Sequence, residues 1–258
     1  MKQFSLLSRL MLLCLVCSFS MSVFSQGVAI YKKDGTMVKY SYEEIDSIVT
    51  YNYNEEPGVP VTPPSTSPYE AVDLGLSVKW ATFNVGATKP EEFGGYYAWG
   101  ETEEKENYSW STYKWCNGSY DTMTKYCTNS NYGTVDNKTV LDPEDDVAHV
   151  KWGGDWRMPT KAEQDELRNN CTWAWATQNG VNGYKVTGPN GNSIFLPATG
   201  YRGGTDVNLR GSYGSYWSGS LDCSNSDGAC GLDFYDYGYD WDCYGRRCYG
   251  LSVRPVLK

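Results

Sequence analysis

The sequence predicts an α+β domain of antiparallel strands, two short helices and long loops over residues 69–258, on three observations. Short runs rich in β-branched and aromatic residues, such as "GYKVT" and "SIFLP", are punctuated by turn residues. Only two stretches carry helix-start signals. The chain holds 27 glycines, 22 tyrosines and 10 tryptophans, a turn-rich and ring-rich composition with no internal repeat to order it.

The elements follow in chain order. Residues 1–25 read as an export signal, because Lys2 and Arg9 lie ahead of an apolar run from Leu10 to Phe24, and Val23-Phe24-Ser25 offers a cleavage site before Gln26. Leu13 and Val16 precede Cys14 and Cys17 where a lipid anchor needs a small residue, so simple cleavage is the expectation. Residues 26–53 open on a small β-hairpin, with Asp34-Gly35 between runs carrying Val28, Ile30, Val38 and Tyr40. Such a unit is too small to bury a core alone. Residues 54–68, "NEEPGVPVTPPSTSP", hold five of the eleven prolines and read as a stiff linker. Residues 69–258 are long enough for one domain with a substantial core.

Inside that domain, "DPEDDVAHV" places Asp142 as an N-cap with Pro143 at the first helical position, and "TKAEQDELRNN" opens on a Thr160–Glu163 capping box. "GYKVT" and "SIFLP" flank a turn at Asn190-Gly191, while "YYAWGE" and "LSVRPV" read as further strands. Leu232 and Phe234 alternate with Asp233, as Leu251 and Val253 do with Ser252 and Arg254. Two strands therefore bracket residues 235–249, which the pattern leaves as an exposed connection.

Several functions are disfavoured at this level. Loss of Lys2 and Arg9 with the signal would take the formal charge from -9 to -11, which argues against nucleic acid or anionic membrane as a partner. No later apolar segment approaches the roughly 20 residues of a membrane span. The sole histidine, His149, has no serine or cysteine motif beside it, and nucleophile-elbow, P-loop and H-E-x-x-H patterns are absent, so no enzymatic activity and no cofactor are expected. "DWDCYG" sets Asp240, Asp242 and Gly245 at calcium-loop spacing, but Tyr244 and Leu251 occupy two ligand positions, so no metal is expected either. Seven cysteines follow the signal, and export makes disulfides their default. The shortest loops favour Cys223–Cys230 and Cys243–Cys248, then Cys116–Cys127.

"VDLGLSVKWATFNVGA", "GGYYAWGE", "WGGDWRMPTKAEQDEL", "GNSIFLPATGYRGG", "GSYWSGS" and "GLSVRPV" occur in this order across residues 72–256. Together they resemble the Fibrobacter succinogenes major paralogous domain family of secreted Bacteroidetes proteins. That resemblance implies a C-type-lectin-like fold, akin to formylglycine-generating enzymes, with its ends close together and its last strands presenting variable loops. Two positions depart from the family pattern. Gln164 stands where the family usually has tryptophan, which implies thinner packing under that helix, and Phe83 replaces a frequent cysteine, which would leave Cys171 as the unpaired one.

The segment between the last strands concentrates ring and polar side chains: Tyr235, Tyr237, Tyr239, Asp240, Trp241, Asp242, Tyr244, Arg246 and Arg247. Tyrosine and tryptophan give contact area at low entropic cost, while Asp and Arg adapt their hydrogen bonding, as in antibody loops. The function read from this is a secreted or cell-surface recognition module for an extracellular glycan or surface protein. The alternative is a structural or fimbria-associated subunit whose aromatic face meets a partner protein.

Overall fold

The computed structural model describes residues 27–31, 37–41, 69–222, 224–240 and 245–258 of the chain. The chain divides into two units, with the boundary between Thr66 and Ser67. In the first, β1 (Gly27–Tyr31) and β2 (Met37–Ser41) pair antiparallel, Val28 opposite Tyr40 and Ile30 opposite Val38. The Asp34-Gly35 turn, the export signal and the proline linker lie outside the described residues.

The second unit is built of small antiparallel sheets with two α-helices, an α+β mixture. β3 (Ala71–Val72), β4 (Lys79–Ala81) and β14 (Val256–Leu257) form one sheet, so the two ends of the unit meet in it, with Trp80 facing both Val72 and Val256. β5 (Thr172–Gln178), β6 (Val181–Thr187) and β7 (Ser193–Pro197) form a meander, in which the strands expected around Asn190-Gly191 pair Val186 with Ile194 and Tyr184 with Leu196. β8 (Tyr201–Gly203) and β9 (Asp206–Asn208) make a short ribbon. The longest strands, β10 (Tyr213–Leu221) and β11 (Gly228–Tyr235), carry β12 (Gly238–Asp240) and β13 (Gly245–Arg246) on β11. Gly214 of β10 is a requirement of this pairing: a Cβ there would lie 2.1 Å from Phe234 Cζ, so only glycine lets that buried ring cross the neighbouring strand.

Helix α2 (Lys161–Asn170) begins as its sequence directs. Thr160 Oγ1 accepts from Glu163 N at 3.3 Å, Glu163 Oε2 accepts from Thr160 N at 2.7 Å, and the apolar face buries Leu167. The other helical signal is divided. Asp142 and Pro143 start only a 3-10 turn (Pro143–Asp145), and α1 (Val147–Trp152) is capped by Asp146, whose Oδ1 accepts from Ala148 N and His149 N. Asp146 Oδ2 also accepts from Met158 N at 2.8 Å, which ties the cap to the following chain and explains why it displaces Asp142. Burial pushes the Asp146 carboxyl above the ordinary range despite those three donors.

Two expected strands take another form. "YYAWGE" makes a single bridge, Tyr97 to Leu251, yet its alternation survives because both faces are covered: Tyr97 and Trp99 enter one core cluster, Tyr96 and Ala98 another. In "LSVRPV", Leu251 and Val253 are buried as expected, but so are Ser252 and Arg254. Arg254 donates to Asn84 Oδ1 and to the carbonyls of Ala81, Thr82 and Phe195 at 2.8–3.0 Å, so it lies inside with its fork satisfied. The third cluster, around Leu74, Trp80, Val186 and Phe234, sits under α2. Gln164, at the position where thinner packing was expected, is buried with its Nε2 donating to the carbonyls of Tyr216 and Trp217, while its Oε1 is buried without a protein partner among the described residues.

Candidate functional site

Three segments distant in sequence are brought together beside β8. Tyr108 and Gly204 exchange backbone hydrogen bonds at 2.7 and 2.9 Å, and Arg202 and Gly250 do the same at 2.7 and 2.9 Å. β8 is thereby clamped between the chain at 108 and the chain at 250. A turn closed by Tyr249 N donating to Arg246 O then folds Tyr249 back toward β8. Between them opens a cleft of about 290 Å³, walled by Tyr108, Trp110, Tyr201, Asn208, Arg246 and Tyr249. That volume lies at the small end of ordinary ligand sites.

Its rings are ordered. Tyr201 and Tyr249 stack with centroids 5.5 Å apart and planes 28° from parallel, and the Arg246 guanidinium lies 5.8 Å from the Tyr249 centroid. Beyond the cleft the row continues through Tyr213, 6.1 Å from Tyr201, to Tyr235 at 4.6 Å and on to Tyr237 at 5.1 Å. Five tyrosines thus run in contact from the cleft to the tip of the β11–β12 hairpin, where Tyr237 is 83% exposed. Their exposure falls toward the middle of the row. Tyr213 is buried, and that burial, with Asp233 beside it, pushes its phenol upward, so it packs as a neutral ring.

The floor is Gly203. A Cβ on it would point among Tyr201 Cε2, Tyr249 Cε1 and Asn208 Nδ2 at 3.5–3.9 Å, so the missing side chain leaves the two rings and the amide uncovered. A second cleft of about 280 Å³ lies between β7 and β3–β4, lined by Val72, Thr82, Lys185 and Phe195, and has a single aromatic ring.

The residues picked out in the sequence divide accordingly. Arg246 lines the cleft, and Tyr235 and Tyr237 form the outer end of the ring row. Tyr239 and Asp240 lie on β12, opposite Phe234 and Asp233. Trp241, Asp242, Cys243 and Tyr244 lie outside the described residues, as does Cys223. Arg247 is a correction: it is fully buried, donating to the Tyr113 hydroxyl and to the carbonyls of Lys125, Tyr126 and Ser226 at 2.8–3.0 Å, with its guanidinium 4.9 Å from the Trp99 ring. The span 235–249 is therefore not one exposed loop. β12 and β13 return to β11, and Cys248 is buried behind them.

The cysteine pairing also differs from expectation. Cys116 and Cys127 are free thiols, because the chain pairs Cys116 with Met123 and leaves each sulfur facing a local carbonyl, Cys116 toward Trp110 O and Cys127 toward Asn129 O, both at 3.2 Å. Cys248 is a free thiol as well, held in the cluster of Tyr96, Tyr108 and Tyr113 instead of bridging to Cys243, and burial pushes it up to about 12. Cys171 is half-buried and likewise a free thiol, pushed up to about 11 by burial. Cys230 donates to Leu221 O at 3.5 Å, and its expected bridge involves Cys223, outside the described residues.

Tyr108, Trp110, Tyr201 and Asn208 were not legible as site residues. Their contribution depends on backbone pairing across about a hundred residues, for which no local pattern exists. His149 sits on α1 with Nδ1 3.3 Å from Trp156 O and takes no part in the cleft. No group of three or more His, Cys, Asp or Glu side chains among the described residues is assembled to hold a metal. No helix among them is long and apolar enough to cross a membrane. No family model, curated protein or solved structure matches the chain.

Proposed function

We propose that residues 69–258 form an extracytoplasmic recognition module of the C-type-lectin-like kind, and that its cleft beside β8 takes a carbohydrate. The observation that carries this reading is the half-buried Tyr201–Tyr249 stack lining the cleft over the floor at Gly203, with the Asn208 amide at its edge. A sugar ring offers C–H faces for stacking on such rings and hydroxyls for an amide, and rings locked by packing lose little entropy on binding. The meeting of the unit's two ends in one sheet, with residues 246–249 near the C-terminal end forming one wall of the cleft, fits the fold that the sequence resemblance implies.

The experiment is a glycan-array screen of the full mature chain, followed by titration of a retained glycan. Tyr249→Ala is expected to weaken binding by about 2 kcal/mol, roughly thirtyfold, as a central aromatic anchor does. Unchanged affinity in a folded Tyr249→Ala protein would place the ligand elsewhere. The Tyr235–Tyr237 stack, in which Tyr237 is exposed, favours the second reading, contact with a partner protein, at the outer end of the row. An oligomer or complex that dissolves in Tyr237→Ala, with glycan binding absent, would support that reading instead.

A further inference from the structure

Resting on the carbohydrate reading, we infer that the cleft selects acidic sugars, with the ring carboxylate of a uronic acid or similar residue held by Arg246. The argument is one of charge in an acidic chain. The formal charge is -9, yet among the described residues the only charged side chain lining the cleft is Arg246. A cleft for neutral sugars needs acceptors for hydroxyl protons, and carboxylates are the strongest available. None of the described residues lining this one is a carboxylate. Its lining offers hydroxyls and an amide that both donate and accept, from Ser109, Tyr201, Tyr249 and Asn208, and the donor-only Arg246 guanidinium and Trp110 indole, with no acceptor-only group among the described residues.

The guanidinium is also unspent. Arg246 is exposed, its contacts being the Tyr249 ring and a long 3.4 Å approach to the Tyr249 hydroxyl, and no carboxylate among the described residues pairs with it. Behind the wall a second guanidinium adds to the field. Arg202 lies 5.0 Å from the Tyr108 centroid and donates only to carbonyl oxygens, those of Lys105, Glu106 and Thr205, so its charge too has no carboxylate partner among the described residues. Carboxylates do lie nearby: Glu104 acts on Tyr108 and accepts from Tyr96 N at 2.9 Å, Glu101 is bound to Lys105, and Asp206 is opposite Gly203 on β9, but none of the three lines the cleft. A carboxylate entering over Tyr249 therefore meets an Arg246 guanidinium with no carboxylate partner among the described residues, and an Arg–carboxylate pair adds two parallel hydrogen bonds to the stacking of the sugar ring.

The test compares oligogalacturonate, alginate and glucuronoxylan oligosaccharides with their methyl esters, which keep the rings and remove the charge. Binding to the full mature chain is followed by isothermal titration at low and high salt. The inference expects an acid form to bind at least tenfold more tightly than its ester, with a preference that shrinks in salt. Arg246→Gln should bring acid and ester to equal affinity. Gly203→Leu, which fills the floor without demanding a left-handed backbone, should abolish binding of both while the protein stays folded. Equal binding of acid and ester by the parent protein, or an acid preference that survives Arg246→Gln, overturns the inference and leaves the carbohydrate reading intact. Failure of the acidic panel with retention of neutral glycans on the array does the same. No binding to any glycan overturns both.

Discussion

Arginines near a C-terminus are ordinarily read as solvent-facing, and two of the three between residues 246 and 254 are not. Arg247 and Arg254 are at most 1% exposed and are neutralised by carbonyl dipoles and ring faces instead of carboxylates. Burial pushes Arg254 down to about 10, so it still carries its proton near neutral pH. Arg247 joins the chain at 125–126 to that at 226 and at 113, three loops that share little other regular structure. Its planar fork cannot be copied by an ammonium, which would leave part of that cage unpaired. Arg247→Lys is therefore expected to lower unfolding free energy by about 3 kcal/mol, within the range for breaking a buried charged network. Urea denaturation checks it. A loss below about 0.5 kcal/mol would mean that the cage rearranges around lysine.

Several elements specified by neighbouring residues form as the sequence directs. The α2 capping box, the β6–β7 pair and the β11 alternation all depend on residues within a few positions of one another, and all form as read. Where two distant segments decide the outcome, local pattern misleads. "YYAWGE" alternates like a strand but is extended between two core clusters, and the 235–249 stretch looks like a loop but folds back on β11. The cleft belongs to the second kind. Its C-terminal wall was visible as a cluster of rings and arginine, whereas its opposite wall depends on the Tyr108–Gly204 bridge. For α2 the local account makes a direct claim: Thr160→Ala removes one side of the box and should cost about 1 kcal/mol. Glu163→Gln keeps a bond to Thr160 N but loses the paired contacts to Arg157 at 2.6 and 2.8 Å. Thermal unfolding of the two variants separates the cap from the ion pair.

At the scale of the whole molecule, the long segment from 114 to 146 has almost no regular structure and is held by charge. Asp142 accepts from Lys125 at 2.7 Å and from Lys138 at 2.5 Å, while the buried Asp145 receives Lys125 at 2.6 Å and the Tyr126 hydroxyl at 2.7 Å. The two lysines hold the Asp142 carboxyl down to about 2. Asp136 is also depressed, the amides of Cys127, Tyr126 and Lys138 outweighing its burial, and so is Glu163, where Arg157 outweighs the same penalty. Carboxyls lowered by folding stabilise the native state above their ordinary range near pH 4, and that stabilisation is lost as pH falls toward about 2. Asp142 is a quarter exposed, so solvent screening limits its share to about 1 kcal/mol. Urea midpoints measured at about pH 7, 4 and 2 should thus fall chiefly over the lower interval. Asp142→Asn should be less stable than the parent by that amount near neutrality, and the two curves should converge at the acid end. A gap that stays constant across the range would assign the loss to packing, and the 114–146 segment would then owe nothing measurable to this ion pair.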